Sequence, residues 1–484
     1  MSSSEYRMLI DGELVASTGG HTYENINPAN EDVIGTAPKA GVADVERAIL
    51  AARRAFDTTS WSTDADFRRT CLIQLQTALR KNADALRPII VAEAGLPIAL
   101  TYDVGLDRSI EMISHFTDLL GNYEFERVIT PIPGDEAARR IVRREAAGVV
   151  SAITPWNYPF HMALVKLLPT LASGCTVVLK PAPDTPWNTL EIGRIILEHT
   201  DIPAGVVNIV TTDDNEVAEV LTTHPAVDAV TFTGSTTTGR RIMAAAAPTV
   251  KRVTLELGGK SSTILLDDAD FGALVPRVVA GTCSHAGQGC GIPSRLLVPR
   301  SRLGDAVDLA VAAMEKFPWG DVNDPANYMG PLANKRQYES VQRYFELAKR
   351  DGRVVLGGNA SDRFEKGYWV EPTVVTDIDS LAPVAQEEIF GPLLCVLPYE
   401  DEADAVAISN NTVYGLAGTV WSADTERATG VARGMRTGAI SVNGATWNHP
   451  SMPFGGYKQS GLGREWGVEG LEDFLEVKSI ARPA

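Results

Sequence analysis

A cysteine set among glycines, at residues 287–291 (Gly-Gln-Gly-Cys-Gly), is the feature of the sequence best suited to chemistry. Glycine offers no side chain to surround the sulfur of Cys290, and it lets backbone N–H groups approach a ligand closely. A thiolate there fits a nucleophile whose own amide helps to hold a developing oxyanion. A buried structural cysteine is the alternative interpretation. A metal site with Cys283 and His285 is a weaker one, because further ligands are not evident nearby.

A glutamate lies at the end of an apolar strand, just before a Gly-Gly turn. Glu256 follows Val-Thr-Leu at residues 253–255 and precedes Leu-Gly-Gly-Lys at residues 257–260. Desolvation at such a strand end would raise the pKa of the carboxyl and suit it to act as a general base. A solvated glutamate at the end of a strand is the alternative.

A strand followed by glycine, hydroxyl residues and a helix occurs at residues 232–239 (Phe-Thr-Gly-Ser-Thr-Thr-Thr-Gly). Free backbone N–H groups at the start of the helix, near Gly234 and Ser235, would suit a pyrophosphate. The segment lacks the G-x-G-x-x-G pattern, so an ordinary helix cap remains the alternative.

An asparagine lies between two prolines at residues 154–159 (Thr-Pro-Trp-Asn-Tyr-Pro). The prolines restrict the backbone around Asn157, so its side-chain amide could be a preorganised hydrogen-bond donor. An ordinary turn asparagine is the alternative.

The elements that must position these residues follow an alternating pattern from about Gly148 to Leu266. Short runs rich in Val and Ile, apolar on both faces, alternate with helical stretches such as residues 189–198. Repeated βα units predict a parallel, doubly wound sheet and an α/β fold class. The strand candidates are residues 149–153, 175–179, 206–210, 229–232 and 262–266.

Other elements flank this region. Residues 42–56 and 66–93 predict amphipathic helices over the sheet, and a second α/β pattern follows with strands near Arg295 and Leu394. Residues 127–144 and the final tail predict a hairpin and an extended end. Four arginines alternate with Ile and Val at residues 139–144, which predicts an edge strand. Nucleic-acid binding is the minor alternative for this cluster.

Composition narrows the class of protein. A chain of 484 residues suggests two to four domains. The net charge is −17, from 44 basic and 61 acidic residues, which argues against a polyanion or nucleic acid as the main partner. Five cysteines make no disulfide framework, the first residues resemble no secretory signal, and no apolar run is long enough to span a membrane. A cytoplasmic protein is expected.

Taken together, these segments resemble the aldehyde dehydrogenase superfamily. The spacing matches the family's, with 99 residues from Asn157 to Glu256 and 34 from Glu256 to Cys290. The resemblance runs over nearly the whole chain, including Leu-Ile-Asp-Gly-Glu at residues 9–13, Gln-Glu-Glu-Ile-Phe-Gly-Pro at residues 386–392, Pro-Phe-Gly-Gly-Tyr-Lys-Gln-Ser-Gly at residues 453–461, and Arg464-Glu465.

The resemblance implies a catalytic role for each matching residue. Cys290 corresponds to the nucleophile, and Asn157 with the Cys290 amide to the oxyanion donors. Glu256 corresponds to the base that activates water for hydrolysis of a thioester, with Lys166 and Glu465 in a proton relay. A CoA-acylating dehydrogenase and a non-catalytic structural or binding relative are the alternatives. Retention of Glu256 favours hydrolysis.

The resemblance also implies a nicotinamide cofactor. Glu388 matches the residue that holds the nicotinamide ribose, and Lys180 the one that contacts the adenosine ribose. NAD-preferring members often have a glutamate where this chain has Pro183, but the carboxylates of Asp213 and Asp214 nearby would repel a 2′-phosphate. NAD is therefore expected, with NADP use left open. The expected cofactor-binding residues are Ile153, Thr154, Pro155, Trp156, Lys180, Ala182, Pro183, Gly234, Ser235, Leu257, Glu388 and Phe390.

Several positions that match the family's substrate tunnel are smaller than the aromatic residues of members that oxidise short aldehydes, so a roomy tunnel is expected. No arginine that could bind a carboxylate occurs among them. We therefore expect a bulky, largely apolar aldehyde, aromatic or terpenoid for instance. The tunnel residues are His161, Met162, Val165, Ser284, Gly289, Gly291, Asn448 and Phe454.

The domain organisation implied by the resemblance has three parts. Residues 1–127 and 147–257 form a Rossmann-type dinucleotide-binding domain, and residues 258–468 form an α/β catalytic domain. Residues 128–146 and 469–484 form a small β oligomerisation element, which implies a homodimer or homotetramer. No metal and no membrane partner are expected.

Overall fold

The fold is built around two sheets that are covered by helices. The structure is a computed structural model, and it describes residues 6–484. Residues 1–5 lie outside the described residues. They belong to the predicted first domain, and the expected absence of a secretory signal rests partly on them. The strands are β1 (Met8–Ile10), β2 (Glu13–Val15), β3 (Thr22–Ile26), β4 (Val33–Pro38), β5 (Glu126–Ile129), β6 (Ala138–Ala146), β7 (Val149–Ile153), β8 (Thr176–Lys180), β9 (Val207–Ile209), β10 (Ala229–Thr233), β11 (Arg252–Glu256), β12 (Ser262–Leu265), β13 (Arg295–Pro299), β14 (Arg353–Leu356), β15 (Thr373–Thr376), β16 (Leu393–Tyr399), β17 (Ala417–Trp421), β18 (Ala439–Val442), β19 (Gly461–Leu462) and β20 (Leu475–Pro483).

The helices cover both sheets. They are α1 (Val42–Thr58), α2 (Ala65–Ala94), α3 (Ile98–Thr101), α4 (Asp107–Glu111), α5 (Ile113–Asn122), α6 (Pro159–Ser173), α7 (Trp187–His199), α8 (Asn215–Thr223), α9 (Thr236–Ala246), α10 (Phe271–Cys283), α11 (Leu303–Glu315), α12 (Lys335–Asp351), α13 (Pro383–Gln386), α14 (Glu402–Asn410), α15 (Thr425–Gly434) and α16 (Gly467–Glu472). No helix within residues 6–484 combines the length and apolarity needed to cross a bilayer.

The first sheet has the strand order β19-β11-β10-β7-β8-β9-β1-β2. Strands β11, β10, β7, β8 and β9 are mutually parallel, and β1, β2 and β19 pair in antiparallel fashion. The parallel strands are apolar on both faces because helices cover both sides. The predicted strands from residue 149 to residue 232 and the predicted helices α1, α2 and α7 are therefore confirmed.

The second sheet has the order β14-β15-β16-β13-β12-β17-β18, with β14 antiparallel at one edge. It contains β12, which pairs with β13 and β17. The prediction that residues 262–266 continue the first sheet was therefore wrong. The chain leaves the first sheet after β11 and turns through Gly258 and Gly259. Because buried parallel strands share one apolar pattern, the sequence could not show which sheet β12 joins.

A third sheet contains β20, β6 and β5 in that order, all antiparallel. The predicted hairpin is confirmed, but the arginine-rich strand was wrongly predicted to be an edge strand. Strand β6 pairs on both sides and is central. Its arginines are accommodated by carboxylates at the sheet surface, such as Asp135 at 2.5 Å from Arg140 and Glu145 at 3.0 Å from Arg143.

Candidate active site

A cleft of about 930 Å³ opens at the carboxyl ends of β7, β8, β10 and β11. Ligand sites of parallel α/β sheets lie at this edge, because loops and helix N-termini converge there. The opposite wall comes from α12 and the segment 388–390, which belong to the second half of the chain. All the expected cofactor-binding residues line this cleft: Ile153, Thr154, Pro155, Trp156, Lys180, Ala182, Pro183, Gly234, Ser235, Leu257, Glu388 and Phe390.

The cleft offers polar groups that suit a dinucleotide. Ser235 caps α9, accepting a hydrogen bond from the Thr238 backbone N–H at 3.2 Å, so the helix N-terminus faces the cleft. Thr154 and Thr233 also line the cleft, and the hydroxyl of each is buried with no hydrogen-bond partner among residues 6–484. Buried polar atoms without partners are costly, so they fit a polar ligand. Burial lowers the pKa of Lys180, at the end of β8, to about 8.

Glu388 faces the turn that joins the two sheets. Its Oε1 accepts a hydrogen bond from the Gly259 backbone N–H at 3.0 Å. Its Oε2 would lie 2.4 Å from a Cβ at Gly258, so only glycine leaves room for the carboxylate there. Burial raises the pKa of Glu388 to about 7. Because Gly259 engages only Oε1, the other carboxyl oxygen is left for a hydrogen bond with a ligand at the cleft wall.

The Cys290 thiol lines the cleft and is half-buried. Burial raises the pKa of this thiol, and the negative charges of Glu256, Glu388 and Glu465 raise it further. The thiol is therefore protonated at neutral pH. A nucleophilic thiolate forms only if a nearby base accepts the proton, or if positive charge is brought close to the sulfur.

The segment that precedes Cys290 is strained. His285, Ala286 and Gly287 occupy the left-handed region with φ values of 48°, 55° and 73°, which is unfavourable for the first two. The buried side chain of Gln288 holds this conformation by donating to the carbonyls of His285 at 3.0 Å and Pro331 at 3.2 Å. Neighbouring segments thus fix the thiol's position. Sequence inspection did not identify Gln288 or His285 as supports, since their partners are distant in the chain.

Asn157 is tied to the same segment. Its Nδ2 donates to the backbone carbonyl of Gln288 at 2.8 Å, and its own carbonyl accepts from His285 Nε2 at 2.7 Å. The carboxamide is buried and lines the cleft beside Cys290. One of its two N–H groups is engaged by Gln288, so the carboxamide is held in one orientation and has a second N–H to donate.

Glu256 is only 1% exposed, and both of its carboxylate oxygens lack a hydrogen-bond partner within residues 6–484. Burial, then the negative charge of Glu465, raises its pKa well above the ordinary value. A Cβ at Gly455 would lie 2.7 Å from Oε1, so that glycine leaves space for the carboxyl. A buried, unpaired carboxyl with a raised pKa is suited to take up a proton near neutral pH.

Lys166 and Glu465 form a buried ion pair behind Glu256, with side chains 1% and 5% exposed. Lys166 Nζ donates to Glu465 Oε1. Both charges act on the pKa of Glu256, Glu465 raising it and Lys166 lowering it. The pair is therefore close enough to Glu256 for its charges to influence the protonation of that carboxyl.

The expected substrate residues fall into two groups. Met162 lines the cleft, and Met162, Val165 and Phe454 pack together with Met112 and Trp466 in an apolar cluster. His161 is hydrogen-bonded to Ser109. The remaining positions lie around the Cys290 loop and the late segment: Ser284 beside Tyr158, Gly289 against Ile292, Gly291 beside Trp447, and Asn448 bonded to Arg108.

Several residues at the site were missed by sequence reasoning. Trp447 stacks on Phe454 with ring centroids 5.0 Å apart, and Trp466 lies against His161. Arg108, on α4, donates to the Asn448 carbonyl, so an arginine does lie beside the expected tunnel. None of these residues carries a motif that could have revealed its place. Arg336, Gln337, Ser340 and Arg343 of α12 also line the cofactor cleft.

The carboxylates expected to repel a 2′-phosphate are placed elsewhere. Asp213 forms an ion pair with Lys39 at 2.7 Å, and Asp214 caps α8. Neither lines the cleft, whereas Asp184 and Glu219 do. That part of the argument for NAD was wrong, because both aspartates have structural partners.

The structure does not support the alternative of a metal site at Cys283 and His285. Within residues 6–484 there is no group of three or more His, Cys, Asp and Glu side chains that could hold a metal ion. His285 is committed to the Asn157 carbonyl, and Cys283 is buried.

Comparison with known proteins identifies the family. The sequence model of the aldehyde dehydrogenase family matches residues 14–480. A 3-succinoylsemialdehyde-pyridine dehydrogenase of a Pseudomonas species is 41% identical over 98% of both chains, and geranial dehydrogenase of Castellaniella defragrans is 36% identical over 99% of both.

Solved structures agree with the sequence comparison. Aldehyde dehydrogenase C of Pseudomonas syringae, complexed with NAD⁺ and octanal, is 37% identical with a TM-score of 0.94, over 99% of this chain and 97% of that one. Betaine aldehyde dehydrogenase of Staphylococcus aureus with NAD⁺ is 36% identical with a TM-score of 0.95, over 99% and 95%. This chain therefore belongs to the aldehyde dehydrogenase family, and it is an NAD-dependent oxidoreductase that acts on aldehydes.

Proposed function

We propose that the chain oxidises its aldehyde to a carboxylic acid through a thioester on Cys290. The observation that carries this proposal is that Cys290 and an unpaired, buried Glu256 line one cleft. In the first half-reaction, Cys290 Sγ adds to the aldehyde carbon, and the thiol proton leaves to a nearby base. The adduct's oxygen carries the developing negative charge. It is held by the second N–H of Asn157 and the Cys290 backbone amide.

The second step removes a hydride and leaves a thioester. NAD, when bound in the cleft, supplies the acceptor for the hydride and its two electrons. The residues proposed to hold it are those of the cleft wall, with Lys180 and Glu388 at the two riboses and Ser235 at the pyrophosphate. The shape of the cleft and the unpaired hydroxyls of Thr154 and Thr233 support this assignment.

Hydrolysis completes the reaction. Glu256 removes a proton from water, the hydroxide attacks the thioester carbon, and the carboxylic acid leaves as Cys290 recovers its proton. Lys166 and Glu465 are proposed to pass the proton from Glu256 towards solvent. The buried position of Glu256 beside this pair supports a role as base.

We expect the missing carboxylate at Pro183 to allow some use of NADP. The variant Pro183→Glu should lower kcat/KM for NADP at least about tenfold, because a carboxylate near the adenosine ribose repels a 2′-phosphate. The value for NAD should change by less than about threefold. Pro183→Gln, with similar size but no charge, is the matched control. Equal losses of NADP use in both variants would show that shape, and not charge, decides the preference.

We propose that the substrate is a bulky, largely apolar aldehyde. Apolar and aromatic side chains around Met162, Trp466 and the stacked Trp447–Phe454 pair support this class. Relatives named for 3-succinoylsemialdehyde-pyridine and geranial, and a structural neighbour holding octanal, act on or bind aldehydes with a large ring or hydrocarbon part.

A series of linear aldehydes from acetaldehyde to octanal tests the substrate class. We expect kcat/KM to rise about three- to fourfold per added methylene until the tunnel is filled, mainly through KM, because each buried methylene contributes ~0.8 kcal/mol. NADH absorbance gives the rates, and chromatography identifies the acid product. A maximum of kcat/KM at acetaldehyde would reject a bulky substrate.

We further propose a homodimer or homotetramer. Residues 128–146 and 469–484 would form the oligomerisation element, next to a dinucleotide-binding domain (1–127 and 147–257) and a catalytic domain (258–468). Val128, Ile141 and Ile480 lie side by side across the three strands of the third sheet and give one face an apolar centre. Such a face is stabilised by burial against a second copy.

Five unpaired cysteines support a reducing cytoplasm as the location.

A further inference from the structure

A polar side chain is built into the apolar wall of the expected substrate tunnel. His161, on the first turn of α6, is 7% exposed, and its ring centroid lies 5.6 Å from that of Trp466. The neighbouring residue Met162 lines the cleft that contains Cys290. An imidazole in such surroundings needs partners for both ring nitrogens, because an unpaired buried polar atom is costly.

The hydrogen bonds around His161 define its tautomer. Ser109 Oγ donates its single proton to the Val104 carbonyl at 2.6 Å. The 2.8 Å contact between Ser109 Oγ and His161 Nδ1 must therefore use the proton on Nδ1, with the hydroxyl oxygen accepting. The neutral ring then carries a lone pair, and no proton, on Nε2.

The ring stays neutral. Burial, and then the positive charge of Arg108, lowers the pKa of His161 to about 3. The Arg108 guanidinium is itself engaged, donating to the Asn448 carbonyl and lying 3.5 Å from Asp103. At physiological pH, Nε2 is therefore a hydrogen-bond acceptor and not a donor.

Nε2 is the ring nitrogen that remains for a further hydrogen bond. The structure gives it no hydrogen-bond partner among residues 6–484. His161 keeps 7% of its surface exposed, and the next residue, Met162, lines the cleft. His161 lies on the first turn of α6, whereas Asn157 precedes that helix. The acceptor is therefore separate from the Asn157 amide that is proposed to hold the aldehyde oxygen.

We propose that His161 Nε2 accepts a hydrogen bond from a hydroxyl on the distal part of the substrate, which makes ring-hydroxylated aromatic aldehydes the preferred class. The inference rests on the proposed function and narrows its substrate. The aromatic rings of Trp466 and Trp447 suit a flat substrate, and the Ser109–His161 pair supplies one fixed acceptor in an otherwise apolar wall. Ser109 is a positioning residue, since it acts only through the tautomer of His161.

The test compares 4-hydroxyphenylacetaldehyde with phenylacetaldehyde, which differ by one hydroxyl. We expect the wild-type enzyme to favour the hydroxylated aldehyde about fivefold in kcat/KM, mainly through KM, as one additional hydrogen bond predicts. His161→Phe should bring this ratio close to one while phenylacetaldehyde is still oxidised. His161→Gln, whose Oε1 can accept, should restore part of the preference, and Ser109→Ala should reduce it.

The outcomes separate this inference from the function on which it rests. Equal kcat/KM for the two aldehydes in the wild-type enzyme, or a ratio that survives in His161→Phe, would overturn the role of His161 and leave aldehyde oxidation standing. A preference for an aldehyde bearing a carboxylate, lost in Arg108→Gln, would assign this end of the tunnel to Arg108 instead. Failure to oxidise any aldehyde would overturn the proposed function and this inference together. NAD binding by each variant reports that it is folded.

Discussion

Replacing Cys290 with alanine is expected to lower kcat by at least about 10³-fold while NAD binding changes by less than about twofold. The substitution removes only the sulfur atom, and many other residues form the wall of the cleft. The cofactor site should therefore be preserved. The chemical step is lost because no covalent adduct can form, and removing a nucleophile is among the largest single effects in enzymes. NADH absorbance measures turnover, and calorimetry measures NAD binding.

A matched control removes a different thiol. Cys71→Ala changes a buried cysteine of α2, remote in sequence from the site, and should keep kcat per folded molecule although it lowers stability. Mass spectrometry of enzyme quenched during turnover should find the acyl group on Cys290. Ordinary turnover by Cys290→Ala, or an acyl adduct on another residue, would exclude this nucleophile.

Replacing Glu256 with glutamine is expected to stop the reaction at the thioester. Glutamine keeps the size of the side chain but cannot accept a proton from water, and loss of a general base lowers steady-state turnover by roughly 10² to 10⁴-fold. Acylation and hydride transfer should persist, because neither step needs an activated water. Rapid mixing should then show a burst of about one NADH per active site, followed by a slow phase.

The pH dependence of the slow phase provides a second test. Burial and the charge of Glu465 raise the pKa of Glu256, so its protonated form persists at pH values where an exposed glutamate is ionised. The basic form therefore accumulates as pH rises, and hydrolysis of the thioester should accelerate with pH in the wild-type enzyme. Glu256→Gln should lose this dependence.

A surface glutamate supplies the control for that variant. Glu346 lies on the outer face of α12, where it pairs with Lys349 at 2.8 Å and is 72% exposed. Glu346→Gln makes the same chemical change away from the cleft and should leave both burst and steady state unaltered. A Glu256→Gln enzyme with normal steady-state turnover would remove the assigned base. An acyl-CoA product formed only with added CoA would point to the acylating alternative.

Local patterns in the sequence were enough to predict the α/β class and most of the elements of the first sheet. The spacing and number of apolar residues located β7, β10 and the helices α1 and α2. Burial on one or both faces of an element determines which of its neighbouring residues are apolar, so the pattern can be read locally. The motifs at Asn157, Glu256 and Cys290 could be found for a similar reason. Glycine, proline and strand-end residues mark sites where the backbone must approach a ligand or turn sharply.

The tertiary structure alone decided which distant segments meet. The apolar pattern of β12 shows that it is buried but not that it joins the second sheet. The arginines of β6 are typical of an edge strand, although β6 is the central strand of its sheet. Arg108 and Ser109 reach the expected tunnel only because α4 lies against α6, a contact between segments about fifty residues apart. Periodicity records whether a residue is buried, whereas long-range packing determines its partners. The tautomer of His161 depends on those partners, so only the folded chain could reveal it. The raised pKa of Glu256 was expected from its place at a strand end, but the charges of Glu465 and Lys166 that also act on it were not.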